Sequence, residues 1–182
     1  MFELLGSKVM AGVVALSMLL FSSFQGNDPQ LSHIKHYSSS STLYLSGELL
    51  SAFDNDFSTI FASSAPIPVY FKLNIKSGSR TVLSQQLTHL VSFNPATGIY
   101  VLRKDGEPEV LRTSSVEQII KEVSKYRFNI PYESSWGLIN INIQAEMPLV
   151  RLEEKGKEMD LMVLWKYKKP SAKILIDLRK AQ

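Results

Sequence analysis

The sequence contains no cysteine. Disulfide bonds, thiolate metal sites and cysteine nucleophiles are therefore excluded, as is the lipid-modified cysteine of a bacterial lipoprotein. The sequence also lacks a P-loop, a dinucleotide-binding glycine motif, a hydrolase serine elbow, a zinc-protease helix motif and an EF-hand loop. We therefore assign no catalytic, cofactor-binding or metal-binding residue, expect no cofactor, and favour a non-enzymatic role.

Neither sign of charge is in large excess. The chain has 20 lysine and arginine residues against 17 aspartate and glutamate residues, a formal net charge of +3. Nucleic-acid binding usually needs a concentrated basic stripe, and only one short basic cluster is present, near the end of the sequence. We therefore predict no nucleic-acid partner.

Long apolar runs are limited to one, at residues 9–21, directly after Lys8. As a helix these 13 residues would cover about 20 Å, which is shorter than the hydrocarbon core of about 30 Å and typical of a signal peptide. Small residues are poorly placed for cleavage between Ser22 and Gly26, so an uncleaved signal anchor is an equal alternative. We predict that residues 1–24 are a signal peptide or signal anchor.

The remaining chain divides into two parts by composition. Residues 25–41 are polar and end in a serine run, which predicts a flexible linker. Residues 42–182 are long enough for a single domain with a sizeable core. With an export signal in front, we expect this domain on the extracytoplasmic, periplasmic side, either secreted or anchored to the inner membrane.

Period-two patterns dominate this domain. The clearest covers residues 67–76, where Val69, Phe71, Leu73 and Ile75 share one side of a predicted half-buried strand. Weaker patterns predict strands over residues 42–48, 80–93, 99–103, 109–112, 138–147, 161–167 and 173–178, the last two as a pair, with a charged loop over 153–160.

Two stretches have helical spacing instead. Apolar residues at intervals of three and four predict one helix over residues 49–63 and a second from about 116 to 127, the latter capped by Ser114 and Glu117. We therefore predict a mainly β (α+β) fold: an antiparallel β-sandwich-like sheet with two amphipathic helices, preceded by the N-terminal signal or anchor helix.

The order of these elements resembles a known family. Leu49, Phe53, residues 66–75, the pair Tyr100 and Val101, and residues 116–123 match the pattern of an uncharacterised bacterial exported family, the domain of unknown function numbered 4390. The resemblance spans residues 42–147 and implies an exported, signal-bearing protein of this fold class. It implies no activity.

Three sets of polar residues are candidate sites. His33 and His36 are three apart, as in a helical metal site, but their surroundings are linker-like and favour solvated side chains. Asp54 and Asp56 form a D-x-D pair that can bind a divalent cation, although a solvated helix face is the favoured interpretation. His89 shares the apolar side of its strand and is interpreted as structural, because no triad partner is suggested in sequence.

The basic cluster lies close to aromatic residues. It consists of Lys166, Lys168, Lys169, Lys173, Arg179 and Lys180, with Trp165 directly before the first lysine and Tyr167 between the first two. Such a mixture can dock on anionic lipid headgroups, or its lysines can simply protect a strand edge from pairing.

Three functional hypotheses remain. The leading one is an exported or membrane-anchored interaction module that binds another envelope protein. The alternative is a binder of lipid or another apolar ligand, in a groove beside Phe53, Phe57 and Phe61. The third and least favoured is an envelope hydrolase that uses His89. We expect contact with the membrane through residues 9–21.

Overall fold

Most of the described chain forms β-strands, many of which alternate buried and exposed side chains. The computed structural model describes residues 26–39, 41–63, 65–152 and 157–180. The predicted signal or anchor segment, residues 1–24, lies outside the described residues. Within the described ranges, no helix is both long enough and apolar enough to span a membrane.

Strands and short helices follow one another along the described chain. The strands are β1 (Gln30–Leu31), β2 (Lys35–Ser39), β3 (Thr42–Leu50), β4 (Ile67–Ser77), β5 (Arg80–Asn94), β6 (Ile99–Lys104), β7 (Leu111–Thr113), β8 (Lys125–Pro131), β9 (Leu138–Glu146), β10 (Leu149–Leu152), β11 (Lys157–Asp160) and β12 (Ser171–Asp177). The α-helices are α1 (Phe57–Phe61) and α2 (Val116–Val123), and 3₁₀ helices cover Ser134–Trp136, Leu161–Trp165 and Leu178–Lys180. A mainly β, α+β fold with antiparallel sheets and two helices is therefore confirmed.

The larger sheet has six antiparallel strands in the order β12–β9–β4–β5–β6–β7. The pattern predicted over residues 67–76 is confirmed in β4, where Val69, Phe71, Leu73 and Ile75 are each at most 1% exposed. The alternate residues of β4 lie on the outer, more exposed side of the sheet. One face of this sheet therefore supplies much of the core.

The smaller sheet is organised around β3. Ser46 of β3 is opposite Lys35 of β2 and also opposite Arg127 of β8, so β2 and β8 lie along its two edges. β1 pairs with the end of β3. A separate hairpin joins β10 and β11.

The structure differs from the linker predicted over residues 25–41. Both β1 and β2 lie in this range and hydrogen-bond to β3, so the described residues before β3 belong to the domain. Their polar composition reflects an edge position, because most of their side chains are exposed. Composition therefore indicated the exposure of this segment but not its backbone pairing.

The helix predicted over residues 49–63 is much shorter in the structure. Leu49 and Leu50 complete β3, and only Phe57–Phe61 is helical. Ser51 and Asp56 have positive φ angles of 50° and 65°, which a continuous right-handed helix cannot contain. The helical spacing of the apolar residues arises because an irregular segment and α1 both bury their phenylalanines.

The second helix also ends earlier than predicted. Ser115, not Ser114, caps α2, since its hydroxyl accepts a hydrogen bond from the Gln118 amide at 3.1 Å. The helix stops at Val123, and β8 follows directly. This strand was missed, although its burial alternates residue by residue.

The C-terminal strand pair is a further correction. Residues 161–167 do not form a strand, because Leu161–Trp165 is a 3₁₀ helix. β12 is confirmed, but its partner is β9. The predicted charged loop over residues 153–160 contains β11, whereas residues 153–156 lie outside the described chain.

The two sheets share one core at Tyr126 of β8. Its ring centroid is 5.2 Å from that of Phe71 on β4, and Tyr126 is 2% exposed. Gly47 of β3 makes room for this ring, since a Cβ at position 47 would overlap the phenol oxygen and lie 2.6 Å from Cζ. Glycine is therefore required here for close packing.

We expect Gly47→Ala to lower the free energy of unfolding by about 1–3 kcal/mol, the usual cost of overpacking a filled core. Adding Tyr126→Phe should restore part of this loss, because the oxygen is removed while Cζ stays. Denaturant titration followed by circular dichroism measures both effects.

Ser46→Ala, at the preceding residue of β3, is the matched control and should change stability by less than about 0.5 kcal/mol. Equal stability of Gly47→Ala and the original chain would show that Tyr126 does not depend on this glycine.

Candidate functional site

A charged cleft runs beside α2. It consists of two adjoining depressions of about 530 and 670 Å³, both lined by Lys104, Glu107 and Glu122. One depression continues along β7, and the other reaches β3, the start of β8 and the connection between β1 and β2. The cleft is therefore built where the two sheets and α2 meet.

Lys104 organises the charges in this cleft. Its side chain is only 9% exposed, and its Nζ lies 3.4 Å from Glu122 Oε2 and 3.7 Å from Glu107 Oε2. Lys125 Nζ donates to the other oxygen of Glu122 at 2.6 Å. The hydrogen bond from Lys125, with the nearby charge of Lys104, holds the pKa of Glu122 below its usual value.

Tyr126 and Gly47 form part of the cleft wall. The Tyr126 hydroxyl is buried, and no atom of the described residues hydrogen-bonds to it. Burial raises the pKa of Tyr126 to about 12, because the phenolate would be poorly solvated. The phenol is therefore neutral at ordinary pH, and its donor and acceptor are not used by any of the described residues.

His89 lies beneath the cleft and links β5 to α2. It is 1% exposed, and its Nδ1 donates to the Val123 carbonyl oxygen at 2.9 Å. Burial lowers the pKa of His89 to about 4, although the hydrogen bond to Val123 opposes this shift. Among the described residues, no hydroxyl or carboxylate side chain hydrogen-bonds to His89, so the geometry provides no catalytic triad.

The cleft contains both signs of charge in nearly equal numbers. Its lining includes five basic and four acidic side chains: Lys35, Lys104, Arg112, Lys125 and Arg127, and Glu48, Glu107, Glu109 and Glu122. Val110 adds an apolar side chain that is 41% exposed. Such a surface suits a peptide segment of mixed charge better than a polyanion.

The other polar candidates are not brought together. In the described part of the chain, no three histidine, aspartate or glutamate residues are grouped to hold a metal ion. His33 lies in the cleft wall, whereas His36 is an exposed residue of β2. The predicted D-x-D pair is not on a helix face, since Asp56 immediately precedes α1 with a positive φ.

The basic cluster separates into three places. Residues 166–169 form a loop after the 3₁₀ helix Leu161–Trp165. Lys173 lies in a depression of about 340 Å³ on the outer face of the large sheet, and Arg179 pairs with Asp177. Trp165 is fully buried, whereas Tyr167 is 65% exposed. Only Tyr167 of the two aromatic residues is therefore available at the surface.

The groove expected for an apolar ligand is filled. Phe53, Phe57 and Phe61 are each at most 2% exposed and pack against one another. The Trp165 ring lies 6.0 Å from that of Phe53. These side chains therefore belong to the core.

Lys104, Glu122, Tyr126 and Gly47 were not identified from the sequence as a site. Two features of the sequence pointed to it. Gly47 is a glycine inside a strand, which often marks close approach of another group, and residues of β8 alternate between buried and exposed. No local pattern could show that β3, β6, α2 and β8 meet.

Comparison of the chain with protein-family models, curated proteins and solved structures finds no match.

The buried His89 predicts a pH-dependent stability. Its pKa is about 4 in the folded protein and 6.5 in the reference state, so the unfolded chain takes up the proton first as pH falls. Stability contributed by the neutral ring is present above pH 6.5 and is lost towards pH 4, by about 3 kcal/mol in total. Urea titrations at several pH values measure this slope.

His89→Gln should flatten the slope in this window, and His36→Gln, an exposed histidine, should leave it unchanged. A full slope in the His89→Gln variant would assign the pH dependence to other groups.

Proposed function

We propose that this protein is an exported or membrane-anchored envelope module that binds a segment of another envelope protein in the charged cleft. Residues 9–21 would direct the chain to the membrane and either be cleaved or remain as an anchor. The β-rich domain, a sandwich-like packing of two sheets, would then act on the extracytoplasmic side. Its role is binding and not catalysis.

The observation that carries this proposal is the cleft around Lys104. Ion pairs hold this lysine, whose side chain is 9% exposed, between Glu107 and Glu122, so the charges are fixed before a partner arrives. The buried Tyr126 hydroxyl beside them lacks a hydrogen-bond partner among the described residues. Fixed charges of both signs favour one partner orientation and disfavour uniformly charged polymers.

The binding test places a photo-crosslinking amino acid at Val110, which is 41% exposed in the cleft. Illumination of cells should give one discrete adduct with an envelope protein. Arg112→Glu, a reversal of one charge in the cleft lining, should reduce the affinity for the purified partner about fivefold.

The matched control places the same crosslinker at Leu175, which is 62% exposed on the outer face of β12. This position should give no such adduct. Equal adducts at both positions, or none at Val110, would contradict binding in the cleft.

The proposed location is tested by labelling, which the absence of native cysteine makes specific. Ser79→Cys places one thiol at the exposed turn between β4 and β5. In intact spheroplasts, a membrane-impermeant maleimide should label it as completely as in lysed cells. Labelling only after lysis would place the domain in the cytoplasm and contradict export.

A further inference from the structure

Residues 166–169, here called the lysine loop, are fixed firmly to the core. The Trp165 indole Nε1 donates to the Ala52 carbonyl oxygen at 2.9 Å, and the ring is fully buried. Lys166 and Tyr167 both have positive φ angles, of 50° and 59°, which turn the chain sharply outward. The Tyr167 amide is also hydrogen-bonded, to the Met162 carbonyl oxygen at 2.8 Å.

The lysine loop presents positive charge around an exposed aromatic ring. Lys168 pairs with Asp28, and Lys169 Nζ lies 3.3 Å from Glu146, which also pairs with Lys72. In the described chain, Lys166 has no ion pair and is exposed. Four lysines therefore face two carboxylates, so positive charge is in excess in and beside the loop that carries the exposed Tyr167.

The chain enters the domain beside this same loop. Asn27 is 3% exposed, its amide donates to the Leu164 carbonyl oxygen at 2.8 Å, and its Oδ1 accepts from the Asn55 amide at 2.8 Å. Asp28 then pairs with Lys168. Four residues separate the apolar run that ends at Phe21 from Gly26, so the two ends are at most about 17 Å apart.

We propose that the lysine loop docks on an anionic phospholipid surface, with Tyr167 at the headgroup level and Lys166, Lys168 and Lys169 against the phosphates. This inference rests on the proposed membrane location, since the apolar run would hold the entry point of the domain near the bilayer. Tyrosine is enriched at the membrane interface, and lysines near the surface are attracted to anionic lipids. Docking would fix the orientation of the domain on the membrane.

The test uses the full chain with Tyr167→Cys, labelled with an environment-sensitive dye and reconstituted in vesicles. In vesicles with about 30% phosphatidylglycerol, a fraction that supplies the anionic surface, the dye should show a blue shift that high salt reverses. In pure phosphatidylcholine it should keep its aqueous spectrum. A dye at Ser79→Cys should not respond in either vesicle.

Charge neutralisation supplies the second measurement. Each lysine contributes about a fivefold factor to attraction, so Lys166→Gln, Lys168→Gln and Lys169→Gln together should abolish the blue shift. Arg80→Gln, Arg103→Gln and Lys121→Gln remove the same charge at exposed positions elsewhere and should preserve it. Thermal unfolding checks that both variants fold. The Lys168–Asp28 pair is exposed and contributes little, and Glu146 keeps its pair with Lys72 when Lys169 is replaced.

The outcomes separate this inference from the proposed function. If the chain floats with vesicles but the dye spectrum stays aqueous, or shifts equally in both lipids, the lysine loop is not an anionic-lipid contact and the anchored module stands. If the chain floats with neither vesicle type, membrane attachment and docking are both rejected. A shift produced only by an added acidic protein would assign the loop to a protein partner and overturn the proposal.

Discussion

One buried series of side chains holds the structure together. Tyr126 lies against Gly47 within the small sheet and contacts Phe71 of the large sheet, whose ring lies 4.9 Å from that of His89. His89 continues this series to α2 through the Val123 carbonyl. Because close-packed interiors transmit displacement, a change at any of these positions would alter how the two sheets and α2 meet, and with them the walls of the cleft.

Both proposed surfaces depend on a buried anchor and not on their exposed residues alone. In the cleft, Lys104 is held beneath α2 by two carboxylates, while at the lysine loop Trp165 is held in the core by Ala52. Charged groups on rigid supports lose less conformational entropy on binding than groups on mobile chain. This shared design explains how a domain with little net charge can present two distinct charged surfaces.

The fold was predictable where a segment's own side chains decide its conformation. β4 and the core of α2 follow from period and spacing, because each buries one face whatever its neighbours are. The predictions for residues 49–63 and 161–167 were wrong because tertiary contacts bury apolar side chains of largely irregular backbone there. The spacing of these apolar residues along the sequence resembles that of a regular helix or strand. β1 and β2 were missed because edge pairing to β3 needs no apolar pattern. The cleft forms where segments far apart in sequence meet, such as those that carry Gly47 and Tyr126. No local sequence pattern shows that these segments come together.

The pairing of β3 also constrains how the chain folds. β3 pairs on one edge with strands that immediately precede it, but on the other edge with β8, about 80 residues later. Closing a loop of this length is entropically costly and slows folding. Until β8 arrives, Leu43 and Leu45, which are fully buried in the native state, lack part of their cover. A chain that emerges in order during synthesis would therefore hold an incomplete small sheet until β8 emerges, and this is the stage at which it most needs protection from aggregation.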